Sequence, residues 1–155
     1  MMMSLSCDVI KALSGKTLVT AESCTGGGIG AALTAVPGSS AVYKGGVISY
    51  TNWVKENILG VERSLLEGYG AVSEPVAKAM AEGARKTLNA DIAVSVTGLA
   101  GPDGDDRGNP IGLVYVGYAD ENATEVISCC FSGNREEVRM QAVAAALHLI
   151  LAHNQ

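Results

Sequence analysis

The sequence predicts a single three-layer α/β/α domain with a mixed, mostly parallel sheet of about five strands. Stretches with the apolar period of a helix alternate with short β-branched runs along the chain. Near the end, two strand-like runs are separated by a short polar turn, which is typical of a C-terminal hairpin. The chain has 155 residues, of which 48% are hydrophobic and 17% charged, so one core can form without metal or disulfides.

In the first half of the chain, stretches with the apolar spacing of a helix alternate with short strand-like runs. Leu5, Val9 and Leu13 are spaced as on one helix face, and Thr25 is expected to cap the helix that Pro37 ends. The elements expected here are, in order, a helix over residues 5–13, a strand over 17–21, a helix after residue 25, a strand over 45–50 and a short helix over 54–59.

The second half contains the clearest helix signals. Ser73-Glu74-Pro75 opens a helix, and Asn134 with Glu137 resembles a capping box before the last one. The elements expected here are a helix over residues 73–88, a strand over 91–97 buried on both faces, a Gly/Pro/Asp loop over 98–112, hairpin strands over 111–118 and 124–131, and a helix over 135–151.

Composition excludes several classes of function. The net charge is −5 and no basic run occurs, so we expect no nucleic-acid partner. No apolar stretch is long enough for a membrane span, and the first residues do not resemble a signal peptide, so we expect a cytoplasmic protein. The four cysteines form no C-x-x-C pair, and the acids of loop 98–112 do not match a calcium loop, so we expect neither metal nor cofactor.

The stretch AESCTGGGIGAALT, residues 21–34, allows three interpretations. Gly26, Gly28 and Ala31 satisfy the dinucleotide fingerprint G-x-G-x-x-A, but the next strand does not end in the acidic residue that a dinucleotide site needs. A strand-to-helix turn still attracts one phosphate or carboxylate. Alternatively, the glycines only allow a helix to pack closely on a strand.

The same turn carries two candidate nucleophiles, Ser23 and Cys24, beside backbone N–H groups that can stabilise an oxyanion. A hydroxyl at such a turn can also be a simple helix cap. Neither histidine is a promising base, whereas Lys55 can act as one if burial lowers its pKa. Tyr50 and Asn52 lie close to Lys55 in sequence. The alternative for Lys55 is a solvated lysine on a helix surface.

Two further segments can complete a ligand site. Thr97 and Gly98 end a buried strand, which is where open α/β sheets place ligands. Arg135 and Arg139, near the start of the last helix, can meet a phosphate bidentately or form ordinary surface ion pairs.

Six motifs in order resemble the CinA C-terminal domain family, the nicotinamide-nucleotide amidohydrolases. The resemblance covers the chain from about Leu5 to Leu151. The motifs are AESCTGG, the segment of Tyr50, Asn52 and Lys55, GAVSEPVA, VTGLAGPDG, PIGLVY and FSGNREEVR.

The resemblance implies deamidation of nicotinamide mononucleotide to nicotinate mononucleotide and ammonia. Ser23 would attack the carboxamide carbon, Lys55 would accept and return the proton, and Tyr50 would assist. N–H groups around Thr25 to Gly27 would hold the oxyanion or the phosphate, and Arg139 is a candidate for the phosphate. The substrate-binding residues are then Glu22, Cys24, Thr25, Gly26, Gly27, Asn52, Thr97, Gly98, Ala100, Gly101 and Arg139.

The family often occurs fused to a molybdopterin-binding-like domain, and the resemblance implies the stand-alone form here. We also expect a homo-oligomer.

Two alternatives to this function stay open at this point. One is the same reaction with Cys24 as nucleophile, because Glu22, Cys24 and Lys55 are the residue types of nitrilase-like thiol amidases. The other is a non-catalytic nucleotide-binding module.

Overall fold

The computed structural model of the protein describes residues 1–155. Its strands are β1 Leu18–Glu22, β2 Tyr43–Ile48, β3 Ile92–Gly98, β4 Leu113–Ala119 and β5 Thr124–Cys130. Its helices are α1 Met2–Ala12, α2 Gly28–Thr34, α3 Asn52–Asn57, α4 Arg63–Tyr69, α5 Glu74–Thr87 and α6 Arg135–Asn154.

The five strands form one sheet in the order β2-β1-β3-β4-β5. Strand β1 runs parallel to both β2 and β3, whereas β4 is antiparallel to β3 and β5 is antiparallel to β4. The α/β class and the mixed sheet predicted from the sequence are confirmed, with a parallel β2-β1-β3 part and a C-terminal hairpin.

Helices cover both faces of the sheet, which gives three layers. On one face, α1, α2 and α6 share an apolar cluster with Leu18, Val94 and Val116 of the strands. On the other face, α5 and the segment around α4 pack against Val19 and Ala93. Strand β3 contributes to both clusters and is buried over six residues, because it lies in the middle of the sheet.

Two local predictions need correction. Thr25 does not cap α2: the helix begins at Gly28, and its N-cap is Gly27 in the left-handed region at φ 101°. The Thr25 hydroxyl instead donates to Glu22 at 2.7 Å. Helix α4 was not predicted, because this seven-residue helix buries only Leu66 and has no side-chain cap. The capping box that opens α6 is confirmed.

The register of the parallel strands positions the candidate site. Glu22 at the end of β1 pairs with Ile48 of β2 and with Val96 of β3. Residues that follow these positions therefore emerge at one edge of the sheet, at the carboxyl ends of the parallel strands. None of the helices is long and apolar enough to cross a membrane.

Candidate active site

A serine and a lysine meet at this edge of the sheet. Ser23 directly follows β1, and its N–H still donates to Val96 O at 3.0 Å, so the strand pairing holds its position. Lys55 lies on α3 and donates from Nζ to Ser23 Oγ at 3.0 Å and to Ser49 O at 2.7 Å. The two residues are 8% and 1% exposed. The pair is thus nearly withdrawn from solvent.

Burial changes the acid–base properties of Lys55. It lowers the pKa of the Lys55 amine from 10.5 to about 8, and the nearby Cys24 opposes this shift. No carboxylate forms an ion pair with the amine. About half of the lysine is therefore neutral near pH 8, and a neutral amine beside a hydroxyl can accept its proton.

Burial favours the neutral form of Cys24 as well, but for a thiol the neutral form is the unreactive one. Burial raises the pKa of its thiol from 9.0 to about 11, although the charges of Arg139 and Lys55 act in the other direction. The thiol is 6% exposed and belongs to the apolar cluster shared with α6. At neutral pH it stays protonated, and a protonated thiol is a poor nucleophile.

Glu22 lies outside the cleft that contains Ser23. Its carboxylate accepts hydrogen bonds from the Thr25 hydroxyl at 2.7 Å, from Ile29 N–H at 2.8 Å and from Gly30 N–H at 3.0 Å. Glu22 is only 2% exposed. The carboxylate therefore satisfies the amino end of α2, where the helix dipole favours a negative charge.

The cleft around Ser23 has a volume of about 310 Å³. Most of the predicted site residues line it, whereas Glu22, Thr25, Gly26, Gly27 and Arg139 do not. The lining residues are Ser23, Cys24, Tyr50, Asn52, Lys55, Ala71, Val72, Thr97, Gly98, Leu99, Ala100, Gly101, Asp103, Asp105 and Arg135.

Tyr50 and Arg135 form one rim of the cleft. Arg135 donates from Nη2 to the Tyr50 hydroxyl at 3.1 Å and from Nη1 to Gly101 O at 2.7 Å. Tyr50 is 57% exposed and makes no hydrogen bond to Ser23 or Lys55. The structure thus places the guanidinium of Arg135 in the cleft, although the predicted site contained Arg139 instead.

Arg139 lies one turn further along α6 and contacts the backbone behind Ser23. Its Nε donates to Cys24 O at 3.0 Å and its Nη2 to Thr25 O at 3.2 Å. Sequence reasoning named both arginines, and the spacing of four residues could not indicate which one reaches the cleft.

The other lining groups differ in their remaining hydrogen-bonding capacity. The Thr97 hydroxyl is committed to Ala71 O at 2.8 Å, whereas the Asn52 amide has no protein partner. Ser49, which the predicted site did not contain, contributes only its carbonyl to Lys55. No group of three or more His, Cys, Asp or Glu side chains is placed to hold a metal ion.

The profile of the CinA C-terminal domain matches residues 3–153. The chain belongs to the CinA C-terminal domain family. The resemblance noted from the sequence motifs is thereby confirmed. A CinA-like protein of Parasynechococcus marenigrum is 54% identical over 122 residues, which are 79% of this chain and 29% of that protein. A CinA-like protein of Anaeromyxobacter is 48% identical over 139 residues, which are 90% of this chain and 34% of that protein.

The chain therefore spans about a third of the length of these curated relatives. Solved structures of the family match it along its full length. Competence damage-inducible protein A of Klebsiella pneumoniae superimposes with a TM-score of 0.95 at 39% identity, covering 99% of both chains. A competence/damage inducible protein of Agrobacterium tumefaciens gives a TM-score of 0.96 at 39% identity, covering 99% of this chain and 96% of that one.

Proposed function

We propose that the protein hydrolyses a carboxamide, with Ser23 as nucleophile and Lys55 as base, and that its substrate is nicotinamide mononucleotide. The observation that carries the proposal is the 3.0 Å contact between Lys55 Nζ and Ser23 Oγ, in which the lysine is buried and its pKa is lowered to about 8. A hydroxyl paired with a base of this kind has the arrangement of an activated nucleophile.

The reaction proceeds through an acyl-enzyme. Neutral Lys55 takes the Ser23 proton while Oγ bonds to the carboxamide carbon, and the carbonyl oxygen becomes an oxyanion. The Lys55 ammonium then protonates the departing nitrogen, so ammonia leaves and an ester to Ser23 remains. Water attacks this ester with Lys55 again as base, which releases the carboxylate product and restores the hydroxyl.

The difference between Ser23 and Cys24 supports the serine. Only Ser23 has a base within hydrogen-bond distance of its side chain. The Cys24 thiol is buried in the apolar cluster, and its pKa of about 11 leaves very little thiolate at neutral pH. A thiol mechanism would need a base that the thiol does not have here.

The cleft supports a substrate of mononucleotide size. Its volume of about 310 Å³ lies at the lower end of the range for small-molecule sites. The Arg135 guanidinium at the rim has N–H groups beyond the two that bond Gly101 O and the Tyr50 hydroxyl, and these can donate to a phosphate group. The Asn52 amide can bond a carboxamide or a ribose hydroxyl. Phosphate at the rim and carboxamide at Ser23 give the substrate one direction in the cleft.

The test is ammonia release from nicotinamide mononucleotide without added metal, comparing wild type with Ser23→Ala, Lys55→Met and Cys24→Ala. The exposed Lys78 provides a matched control as Lys78→Met. We expect Ser23→Ala and Lys55→Met to lose at least about 10³-fold in kcat, and the other two variants to stay within about threefold of wild type.

Two results would contradict the proposal in different ways. Loss of activity in Cys24→Ala together with an active Ser23→Ala would transfer the nucleophile to the thiol. A wild type that binds the nucleotide but releases no ammonia would make the domain a binding module.

A further inference from the structure

The turn that follows Ser23 has its carbonyl groups fixed. Ser23 O accepts from Gly26 N–H at 3.0 Å, inside the turn. Cys24 O accepts from Arg139 Nε at 3.0 Å, and Thr25 O accepts from Arg139 Nη2 at 3.2 Å. One side chain from α6 therefore contacts two successive carbonyls of this turn, and Thr25 O also accepts from Gly28 N–H at 2.9 Å.

Two N–H groups of the same turn, those of Cys24 and Thr25, have no protein acceptor. These residues are only 6% and 1% exposed. Backbone N–H groups in buried residues are rarely left without a partner, so two adjacent ones require an explanation.

Peptide geometry sets the direction of these two N–H groups. In a trans peptide the N–H points away from the C=O, and the only cis bond of the chain is Gly101-Pro102. The carbonyl before Cys24 N–H is held by Gly26, and the carbonyl before Thr25 N–H is held by Arg139. Both N–H groups therefore point to the side of the turn opposite to these contacts.

We infer that Arg139 is a positioning residue for the proposed reaction, because it helps to orient the Cys24 and Thr25 N–H groups as an oxyanion site beside Ser23. It orients Thr25 N–H directly through the Cys24 carbonyl. It supports Cys24 N–H indirectly, because it holds the Thr25 carbonyl of the peptide whose Gly26 N–H donates to Ser23 O. This inference rests on the proposed function. It differs from the expectation that Arg139 binds the substrate phosphate. Both donating groups of Arg139 described above are bonded to backbone carbonyls, and the side chain does not line the cleft.

The two roles of Arg139 predict different substrate dependence. A phosphate ligand acts only on a substrate that has a phosphate, and its loss raises KM. An oriented oxyanion site acts on every acyl substrate, and its loss lowers kcat because the negative charge exists only in the transition state.

The experiment compares Arg139→Met and Arg139→Lys on nicotinamide mononucleotide and on the same nucleoside without its phosphate. We expect Arg139→Met to lose about 10- to 100-fold in kcat on both substrates, with KM within about threefold of wild type. Arg139→Lys is expected to recover part of this loss, since an amine can donate to the carbonyls but lacks the forked geometry. If Arg139→Met does not fold, the comparison uses Arg139→Gln in its place.

Arg85→Met is the matched control. Arg85 also donates from Nε to a backbone carbonyl, that of Asp91 at 3.0 Å, but it lies outside the cleft. We expect wild-type kcat and KM on both substrates. Wild-type kcat in the folded Arg139→Met variant overturns the inference, as does a loss confined to the phosphorylated substrate or to KM.

An ester without phosphate or pyridine separates the inference from the proposed function. p-Nitrophenyl acetate can acylate Ser23: Oγ bonds to the acetyl carbon, p-nitrophenolate leaves, and Lys55 takes the proton. We expect a nitrophenolate burst in wild type, none in Ser23→Ala, and a burst at least about 10-fold slower in Arg139→Met. This pattern without ammonia release from the nucleotide would refute the proposed substrate and support the inference. A wild type without a Ser23-dependent burst overturns the inference.

Discussion

Lys55 Nζ lies 3.0 Å from Ser23 Oγ, although 32 positions separate the two residues in the sequence. The amine also donates to Ser49 O at 2.7 Å, just after β2, while Ser23 directly follows β1. One buried side chain therefore connects the ends of two neighbouring parallel strands. Because the sheet fixes both ends, the base is oriented toward the hydroxyl before any substrate binds.

The rate of the proposed reaction should increase with pH. Burial lowers the pKa of Lys55 to about 8, and only the neutral amine can accept the Ser23 proton. About a tenth of the enzyme is active at pH 7, so kcat/KM should rise about tenfold between pH 7 and a plateau above pH 9. Initial rates of ammonia release at constant ionic strength test this, and a flat profile between pH 6 and 9 would contradict Lys55 as the base.

The same pKa predicts how stability depends on pH. The pKa of Lys55 is 10.5 when unfolded and about 8 when folded, so the unfolded chain binds one proton more between these values. The free energy of unfolding of wild type should therefore rise by about 3 kcal/mol relative to Lys55→Met as pH increases from 7 to 11. Burial of the charged amine destabilises the fold in full below pH 8, and this penalty is gone above pH 10.5.

Urea unfolding of both variants at several pH values measures this difference. Both proteins carry Cys24→Ala for this comparison, because Cys24 titrates in the same range and its pKa depends on the charge of Lys55. A difference that stays constant from pH 7 to 11 would mean that Lys55 keeps an ordinary pKa in the folded protein.

Much of the fold was predictable from the sequence because its signals are local. The sequence of β3 is a nearly continuous apolar run, which predicts a strand buried on both faces. The capping box of Asn134 marks the start of α6. The short helix α4 was missed because tertiary packing rather than its seven residues stabilises it.

The candidate site was predictable only in part. The sequence suggested Ser23 and Lys55 by residue type, but the sequence of α3, NWVKEN, is also typical of a solvated helix. The burial of Lys55 results from its contacts with the ends of β1 and β2, which no local pattern encodes. Glu22 accepts hydrogen bonds from N–H groups seven and eight residues later in the chain, whereas a capping side chain usually accepts from a group two or three residues later. The separation is larger here because the glycine turn lies between Glu22 and the first residue of α2.

Replacing Glu22 by glutamine should destabilise the fold. The carboxylate accepts N–H bonds from Ile29 and Gly30, and an amide would place its own NH₂ against one of these donors. We expect a loss of about 1–3 kcal/mol in the free energy of unfolding by urea, whereas the exposed Glu121→Gln should change it by less than about 0.5 kcal/mol. Equal stabilities would mean that Glu22 does not support α2.

Two helical glycines should respond in opposite directions to alanine. A Cβ on Gly83 of α5 would lie 1.9 Å from the carbonyl oxygen of Leu59, so the helix could not keep its position. A Cβ on Gly68 of α4 would have no neighbour within 4 Å. We expect Gly83→Ala to lose about 2 kcal/mol or more of unfolding free energy and Gly68→Ala to gain about 0.5–1 kcal/mol. Thermal unfolding of the pair tests this, and a stable Gly83→Ala would contradict the close approach.

Arg135 should discriminate between substrates with and without a phosphate. Its guanidinium lines the cleft and is held by Gly101 O and the Tyr50 hydroxyl, so it is presented to a ligand in a fixed orientation. Arg135→Met should raise KM for nicotinamide mononucleotide about tenfold and leave KM for the unphosphorylated nucleoside within about twofold.

Arg63→Met is a suitable control for this comparison, because Arg63 pairs with Glu56 at an exposed position outside the cleft. The expected result for Arg135, a change in KM on one substrate, is the reverse of the result expected for Arg139, a change in kcat on both. An equal KM increase on both substrates would show that Arg135 orders the rim through Tyr50 instead of contacting the phosphate.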